Sequence, residues 1–349
     1  MQVKDSKAYC SPSCFIKEDI LKEKIKKGLA PWAKQQIQED LSPYKNFTPA
    51  DIEYFLQHHN SHHNFVRFII KEGQVTTQKN GIWLYKDRFL NGRNEPYAII
   101  ADIIQYVARK GYVKEADFII GLEDFLTLPE PINIPIITFA KDINIPQEQK
   151  FVLMPDWMNL CNSIAAHDKI RSILKKYPWH NKMDKVLWRG GEFDNTGFRK
   201  RIVAWSTIHP DIIDAKFVQL KLENESNLAE FYLSPEAHLQ YKYLLTMDGS
   251  RASWERFVWL LHTNSLIFKQ ESSHVQWFYK GVLPYQHYMP IKDELDLEKS
   301  IAWAMLHPQQ APKIIQNAQA FANQNLDLES MVHYIIELLQ AYHKKMQAL

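Results

Sequence analysis

The chain has 349 residues, of which 46% are hydrophobic, so it is long enough to form more than one core and two domains are predicted. Its 42 basic and 40 acidic residues leave a net charge of +2, which disfavours a nucleic-acid-binding surface and an acidic tail. The sequence has no uninterrupted apolar run of about twenty residues, and no membrane-spanning helix is expected.

The N-terminal segment and the cysteines indicate the cellular compartment of the protein. The first fifteen residues lack a continuous apolar stretch, so no secretory signal is predicted. Three cysteines, Cys10, Cys14 and Cys161, are too few and too unevenly spaced for a disulfide framework and favour a reducing cytoplasm. Cys10 and Cys14 have the spacing of half a metal site, but no second cysteine pair completes it.

Residues 16–40 are predicted to be helical, with a break at Gly28 and Pro31. This stretch is basic, and its apolar residues recur at near-helical spacing: Leu21, Ile25, Leu29 and Trp32. The pattern is compatible with peripheral contact to an anionic inner-membrane surface. A helix that docks on its own domain explains the pattern equally well.

A short helix is predicted with Thr48 as its N-cap and Pro49 at its first position, and a histidine cluster follows: His58, His59, His62 and His63. Imidazole is a common zinc ligand. No nearby carboxylate or cysteine completes a site, so a polar helix end and turn is the better interpretation. No metal site is predicted.

Next come a tight hairpin turn predicted at Asn80 and Gly81 and an amphipathic helix that begins near Pro96 and ends at Gly111. Two apolar strands follow, ADFIIGL and IPIITFA, joined by a loop that contains Asp124. Beyond Lys185, apolar strands alternate with helices, and the last segment is an amphipathic helix. This alternation predicts an α/β fold with a mostly parallel sheet.

Residues 241–272 contain the most informative local pattern. An apolar strand runs into Asp248 and Gly249, and Ser253 stands at a predicted helix N-cap. Arg251 and Arg256 bring two guanidinium groups to that helix start, where unpaired N–H groups and the helix dipole favour phosphate. From these residues alone, an ordinary capped helix with surface arginines is an equal alternative.

Four blocks carry a resemblance that covers much of the second half. They are KVLWRGGEFDNTGFRKRIVAWS from Lys185, HPDIIDAKF from His209, YKYLLTMDGSRASWERF from Tyr241, and SLIFKQESSHVQWFYKGVLPYQHYMPIKDELDLEKSIAWA from Ser265. In this order they resemble glycosyltransferase family 90, which includes fungal capsule-associated transferases, animal protein O-glucosyltransferases and bacterial enzymes of surface-polysaccharide assembly. In the first half, GLEDFLTLPEPINIPIITFAK from Gly121 carries the likeness.

The resemblance implies a GT-B fold, with two facing Rossmann-like domains, a cleft between them and a C-terminal helix that crosses back. The expected acceptor-side domain is residues 1–172, with a helical N-terminal extension. Residues 173–322 are the expected nucleotide-sugar domain, and residues 323–349 the returning helix.

The resemblance also implies site residues. The serine-then-arginine motif corresponds to Ser253 and Arg256, one residue further apart than is usual, so Arg251 is a rival for the diphosphate. The expected donor-binding residues are Arg189, Gly190, Gly191, Asp248, Gly249, Arg251, Ser253, Arg256, Lys269 and Glu271. A surface position is the alternative for Lys269. Arg199 and Arg201, on a predicted helix, are expected to be solvated.

Family 90 transfer inverts the anomeric centre in a single displacement, so one base is expected. Asp124 corresponds to it, with Glu123 as a rival. The predicted activity is transfer of a hexose or pentose from a UDP-sugar to a glycan or lipid-linked glycan in lipopolysaccharide or capsule assembly. No essential metal or other cofactor is expected, and the location is cytoplasmic or peripheral at the inner membrane. Two alternatives are a protein Ser/Thr O-glycosyltransferase and a non-catalytic nucleotide-sugar binder.

Overall fold

The structure is a computed structural model that describes residues 11–58, 65–80, 95–123, 126, 132–218 and 231–346. Gly81, His59, His62, His63 and Asp124, which the sequence analysis singled out, lie outside these residues.

The helices, in chain order, are α1 (Glu18–Lys27), α2 (Pro31–Leu41), α3 (Pro49–His58), α4 (Glu95–Arg109), α5 (Pro146–Gln149), α6 (Trp157–Ile173), α7 (Phe198–Ile208), α8 (Pro235–His238), α9 (Glu255–Leu261), α10 (Glu294–Leu306), α11 (Gln310–Asn325) and α12 (Leu328–Met346). The strands are β1 (Phe65–Lys71), β2 (Gln74–Asn80), β3 (Glu115–Gly121), β4 (Ile136–Thr138), β5 (Lys141–Asp142), β6 (Val152–Leu153), β7 (Met183–Gly190), β8 (Ile213–Phe217), β9 (Tyr241–Thr246), β10 (Leu266–Gln270), β11 (His274–Val275) and β12 (Met289–Ile291).

The chain divides into two compact units. The first comprises Met1–Phe139, Pro146–Ile164 and Leu328–Leu349, and the second comprises Ala140–Ile145 and Ala165–Asp327. The chain passes from the first unit to the second within α6, and α12 belongs to the first unit.

The first unit contains a mixed five-stranded sheet in the order β2-β1-β3-β4-β6. β1 pairs antiparallel with β2 and β3, whereas β3, β4 and β6 are parallel. The β1–β2 hairpin turns at Glu72 and Gly73, whose φ angles of 52° and 77° suit a tight turn. The sequence analysis did not single out this turn.

Helix α12 is fixed to the first unit by its buried face. The Tyr342 hydroxyl donates to the Pro135 carbonyl at 2.8 Å, and the Tyr334 hydroxyl donates to the Leu153 carbonyl at 3.2 Å. Helix α1 also packs on α12, with Leu21 buried and Lys24 Nζ donating to Ser330 Oγ at 2.8 Å. The basic N-terminal stretch therefore docks on its own unit through this apolar face.

The second unit contains a parallel five-stranded sheet in the order β12-β10-β9-β7-β8. β7 is first in the chain, β8 lies on one side of it, and the chain then crosses to place β9 on the other side. This is the strand order of a doubly wound sheet, with its topological switch point between β7 and β9. The predicted α/β class, with a parallel sheet in the second half, is confirmed.

One face of this sheet carries a large apolar core. Val186, Trp188, Tyr243, Leu245 and Phe268 point to one face and form a core with residues of α7, α10 and α11. Each fully buried large side chain contributes roughly 1.5–3 kcal/mol, so this face holds the sheet and its helices together.

Among the described residues, no helix is both long enough and apolar enough to cross a bilayer.

A pair of buried histidines lies in the second unit at the C-terminal end of α9. The rings of His167 and His262 have centroids 4.8 Å apart, and both side chains are 1% exposed. Burial lowers the pKa of His167 to about 4, and the positive charge of Arg171 acts in the same direction. Burial, His167 and Arg171 lower the pKa of His262 to about 3, although Asn323 and Asp168 oppose the shift.

This pair predicts acid sensitivity. Because both folded pKa values lie below the ordinary 6.5, the folded state binds fewer protons than the unfolded state. The contribution of the two neutral histidines to the free energy of unfolding is therefore fully present above about pH 6.5. It falls as the pH drops toward 4, by up to about 1.4 kcal/mol per pH unit for each histidine.

Urea unfolding at pH 6.5 and pH 5 measures this effect. Between these two pH values, we expect the free energy of unfolding of His167→Phe to fall by about 2 kcal/mol less than that of the wild type. His180→Gln, which changes an exposed histidine, serves as the control and should follow the wild type. An equal loss in His167→Phe and the wild type would contradict the prediction.

Candidate active site

The carboxyl ends of β7 and β9 meet at the switch point of the second sheet. β7 ends at Gly190 and is followed by Gly191, while β9 ends at Thr246 and is followed by Met247 and Asp248. In open α/β sheets, ligands bind outside the carboxyl ends of the strands at such a point. This edge is therefore the candidate active site of the second unit.

Arg199 joins the two strand ends. Its Nη1 donates to the carbonyls of Gly191 at 2.9 Å and Phe193 at 3.1 Å, and its Nη2 donates to the Met247 carbonyl at 3.0 Å. Burial lowers the pKa of this guanidinium, although Asp194 and Asp248 oppose the shift. The prediction that Arg199 is solvated is wrong, because the side chain turns back from the first turn of α7 over the sheet edge.

Arg201 behaves as expected of a surface charge. It is half exposed and forms an ion pair with Glu294 at 3.2 Å. Backbone N–H groups at the start of α7 already have a partner within the chain. The Asp194 carboxylate accepts from the amides of Thr196 at 2.7 Å and Arg199 at 2.8 Å. The side chain of Arg199, rather than the α7 helix end, thus provides positive charge to the site.

The start of α9 differs from the prediction. Trp254, with φ 51°, holds the N-cap position and makes no side-chain capping bond, so the prediction of Ser253 as N-cap is wrong. The positive φ of Trp254 moves the helix start one residue along the chain. It leaves the Ser253 Oγ buried and without a hydrogen-bond partner among the described residues. Such a strained φ costs about 1–3 kcal/mol and is most often found at functional sites.

Arg256 is the second residue of α9, as the sequence motif predicts. Its guanidinium makes no hydrogen bond or ion pair with any described residue, although it is only partly exposed. Burial and the neighbouring charge of Arg199 lower the pKa of Arg256 to about 10, while Glu255 and Tyr232 oppose the shift. Two desolvated cations thus lie near each other, and a bound anion would stabilise both.

Lys269 and Thr246 are partners in the β10–β9 register, so their side chains project to the same face of the sheet. Lys269 is buried, which excludes the alternative of a surface lysine. Its Nζ lies 4.9 Å from the ring centroid of Tyr279 and 5.6 Å from that of Phe257, and donates to the Gln270 carbonyl at 3.0 Å. Burial lowers its pKa, with Asp248 and Glu271 opposing the shift.

Asp248 is held rigidly in the loop after β9. Its amide donates to Gln270 Oε1 at 2.9 Å, and the Ser272 hydroxyl donates to its carboxylate. His274 lies between two carboxylates, with Nδ1 3.5 Å from Asp248 Oδ2 and Nε2 3.5 Å from Asp142 Oδ2. Residues of the second unit therefore orient the Asp248 carboxylate.

The glycines and Arg251 of the site have distinct surroundings. A Cβ on Gly249 would come within 3.2 Å of Arg199 Nη2, so this position requires a small residue. A Cβ on Gly190 would meet the Trp188 ring at 2.5 Å, whereas one on Gly191 would meet nothing within 4 Å. Arg251 is buried, and its charge helps to keep the pKa of Asp142 below the usual value against the effect of burial.

Arg189 and Glu271 lie outside this group. Arg189 Nη2 pairs with Asp214 Oδ2 at 2.6 Å, and its other donors bind the carbonyls of Trp188, Asp214 and Phe231. Its guanidinium therefore ties β8 and the residues before α8 to β7. Glu271 is exposed and pairs with Lys292 at 3.6 Å.

Glu123 belongs to the first unit, two residues after the end of β3, and is partly exposed. Asp124 lies outside the described residues. In the second unit, a cavity of about 590 Å³ lies along α7 and the edge strand β8, lined in part by Lys185, Asp214 and Phe217. None of Arg199, Arg256 and Lys269 lines this cavity, so it is separate from the candidate active site.

A parallel doubly wound sheet with a cationic switch point defines an α/β domain suited to a phosphate-bearing ligand. The chain belongs to Glycosyl transferase family 90, whose family model matches residues 26–348.

Similar proteins include protein O-glucosyltransferase 3 of Mus musculus, 27% identical over 270 residues, which are 73% of this chain and 52% of that protein. Protein O-glucosyltransferase 2 of Danio rerio is 23% identical over 331 residues, 89% of this chain and 62% of that protein. The chain thus spans about half to three fifths of the length of these relatives. A solved structure, Anabaena Alr3699/HepE in complex with UDP, matches with a TM-score of 0.33 and 9% identity, covering 59% of this chain and 72% of that one.

The two arginines predict opposite effects on stability. Arg256→Gln removes a desolvated cation that no described residue pairs with, so we expect the free energy of unfolding to stay level or rise by about 0.5–2 kcal/mol. Arg199→Gln removes donors from three carbonyls and should lower it. Urea unfolding measures both, with Arg201→Gln as the surface control. A clear loss of stability in Arg256→Gln would show that this guanidinium is bound by the protein itself.

Proposed function

We propose that the chain is an inverting glycosyltransferase that transfers a hexose or pentose from a UDP-sugar to an acceptor hydroxyl. The observation that carries the proposal is the Arg256 guanidinium, which lies near Arg199 at the switch point and has no side-chain partner among the described residues. Membership of family 90 supports the reaction class. The UDP-bound neighbour adds no weight to the choice of donor, because its likeness is low.

The proposed chemistry follows from the charges. When the sugar leaves, negative charge develops on the diphosphate, and fixed cations in a poorly solvated site stabilise it strongly. Arg199, Arg256 and Lys269 would provide this stabilisation, so we propose that transfer needs no essential metal. The buried Ser253 hydroxyl is proposed to orient the phosphates.

The contacts within the second unit lead to proposed roles for the other expected donor-binding residues. Asp248 is proposed to bind donor hydroxyls from its fixed position, and Arg251 to add charge to the same loop. Arg189 is proposed to act indirectly, by fixing β7 against β8 through Asp214. The base is proposed to be Asp124, with Glu123 as the rival.

The acceptor has two candidates. Our first proposal is a glycan or lipid-linked glycan of lipopolysaccharide or capsule assembly. The second is a serine or threonine of a protein, which is favoured by the names of the protein O-glucosyltransferases that this chain resembles. Radiolabelled transfer from the preferred donor to a glycan panel and to a folded-protein panel separates them. A non-catalytic binder would transfer to neither.

For location, we propose the cytoplasm or the cytoplasmic face of the inner membrane. The sequence analysis expected the cysteines to favour a reducing compartment. In the structure Cys161 is disulfide-bonded, while Cys14 is a free, exposed thiol. Disulfides are rare in reducing compartments. Thiol labelling of the protein in intact cells tests the proposal: a labelled Cys161 agrees with it, and a Cys161 that reacts only after reduction contradicts it.

Donor binding and turnover across a panel of nucleotide sugars test the reaction. We expect Arg256→Gln to weaken UDP binding by about 2–4 kcal/mol, or roughly 30- to 1,000-fold, because it removes a buried charge partner. Asp124→Asn should bind UDP normally and lose turnover, since only the base is changed. Arg201→Gln is the control for both.

Calorimetry measures the binding, and release of UDP during transfer measures the turnover. Failure of the wild type to bind any nucleotide sugar would overturn the proposal. Full turnover in Asp124→Asn would overturn the assignment of the base, and Glu123→Gln would then be tested in the same assay.

A further inference from the structure

We propose, on the basis of the proposed function, that His238 is a further donor-binding residue that accepts a hydrogen bond from an N–H or O–H group of the nucleoside. The residue belongs to α8, before β9, and no sequence motif singled it out. Four observations lead to this role.

The first is the protonation of the ring. His238 Nδ1 lies 2.8 Å from the carbonyl oxygen of Ser234. A carbonyl only accepts hydrogen bonds, so Nδ1 carries the hydrogen and Nε2 presents a lone pair. Burial lowers the pKa of His238 to about 4, and the charges of Arg256 and Arg189 act in the same direction against the Ser234 contact. The ring is therefore neutral at pH 7 and acts at Nε2 only as an acceptor.

The second is the missing partner. His238 is 4% exposed, and its Nε2 has no hydrogen-bond partner among the described residues. An unpaired buried acceptor destabilises the folded chain, so its presence needs a reason. A ligand donor that reaches Nε2 would remove this cost when it binds.

The third is the position of the ring beside Arg256. The His238 ring meets the indole of Trp259 edge-on, with centroids 5.3 Å apart. Trp259 follows Arg256 by three residues in α9, so both lie on the same face of that helix. The His238 ring therefore lies about one helical turn from Arg256 along α9.

The fourth is chemical complementarity. The oxygens of an ionised diphosphate are acceptors and cannot donate to Nε2. A ligand that satisfies both Arg256 and His238 must therefore join an anionic group to an N–H or O–H donor. A nucleoside diphosphate does so, through the imide N–H of uracil or the ribose 2′-hydroxyl.

Calorimetric titration separates this role from the binding of the phosphates. We expect His238→Phe to weaken UDP binding roughly 5- to 30-fold and to leave inorganic diphosphate binding unchanged. His238→Gln, which can place a carbonyl oxygen near the Nε2 position, should recover part of the affinity. Arg256→Gln should weaken both ligands, and this result reports on the proposed function independently of His238.

Ligand analogues identify the donor without relying on a variant. Relative to UDP, the wild type should bind either 3-methyl-UDP or 2′-deoxy-UDP more weakly, and this deficit should vanish in His238→Phe. A 3-methyl effect would assign the uracil imide, and a deoxy effect the ribose.

The inference is overturned if His238→Phe binds UDP as the wild type does, or if it loses UDP and diphosphate equally. It is also overturned if the wild type binds both analogues as tightly as UDP. A wild type that binds diphosphate through Arg256 but shows none of these effects would leave the phosphate site intact and remove only the role of His238.

Discussion

The positive charge concentrated at one edge of the parallel sheet is the constraint on which the rest of the second unit depends. The guanidinium of Arg199 donates to the carbonyls of Gly191 after β7 and of Met247 after β9, and so links the two strand ends at the switch point. Its charge in turn disfavours the nearby charge of Arg256. The loop after β9 and the start of α9 are thus arranged around cations whose charges the protein itself does not fully neutralise.

Several features of this edge lower the stability of the folded chain when no ligand is bound. Trp254 has a positive φ, Ser253 and Thr246 have buried hydroxyls without described partners, and Lys269 is buried with aromatic rings around it. Natural proteins often retain such local costs where a ligand must bind. The apolar face of the same sheet offsets them, because Trp188, Tyr243 and Phe268 are buried there with their covering helices.

The sequence predicted regular structure better than side-chain roles. Alternating apolar strands and helices beyond Lys185 follow from short-range periodicity, and the parallel sheet is confirmed. Ser253 was misassigned because N-cap preference does not foresee the positive φ of Trp254. Arg199 was missed because a helical arginine gives no sign that its side chain will cross to another strand. Arg189 fits the motif, yet its pairing with Asp214 depends on β8, a separate strand whose neighbour only the fold reveals.

A crystal structure of the chain with UDP would test the central claim most directly, because the account places an anion at the Arg256 guanidinium, for which the described part of the chain provides no partner. The account predicts that the diphosphate contacts the Arg256 guanidinium at the carboxyl ends of β7 and β9, with Arg199 still bound to the Met247 carbonyl. UDP bound elsewhere, or Arg256 paired with the protein while UDP occupies another surface, would contradict it.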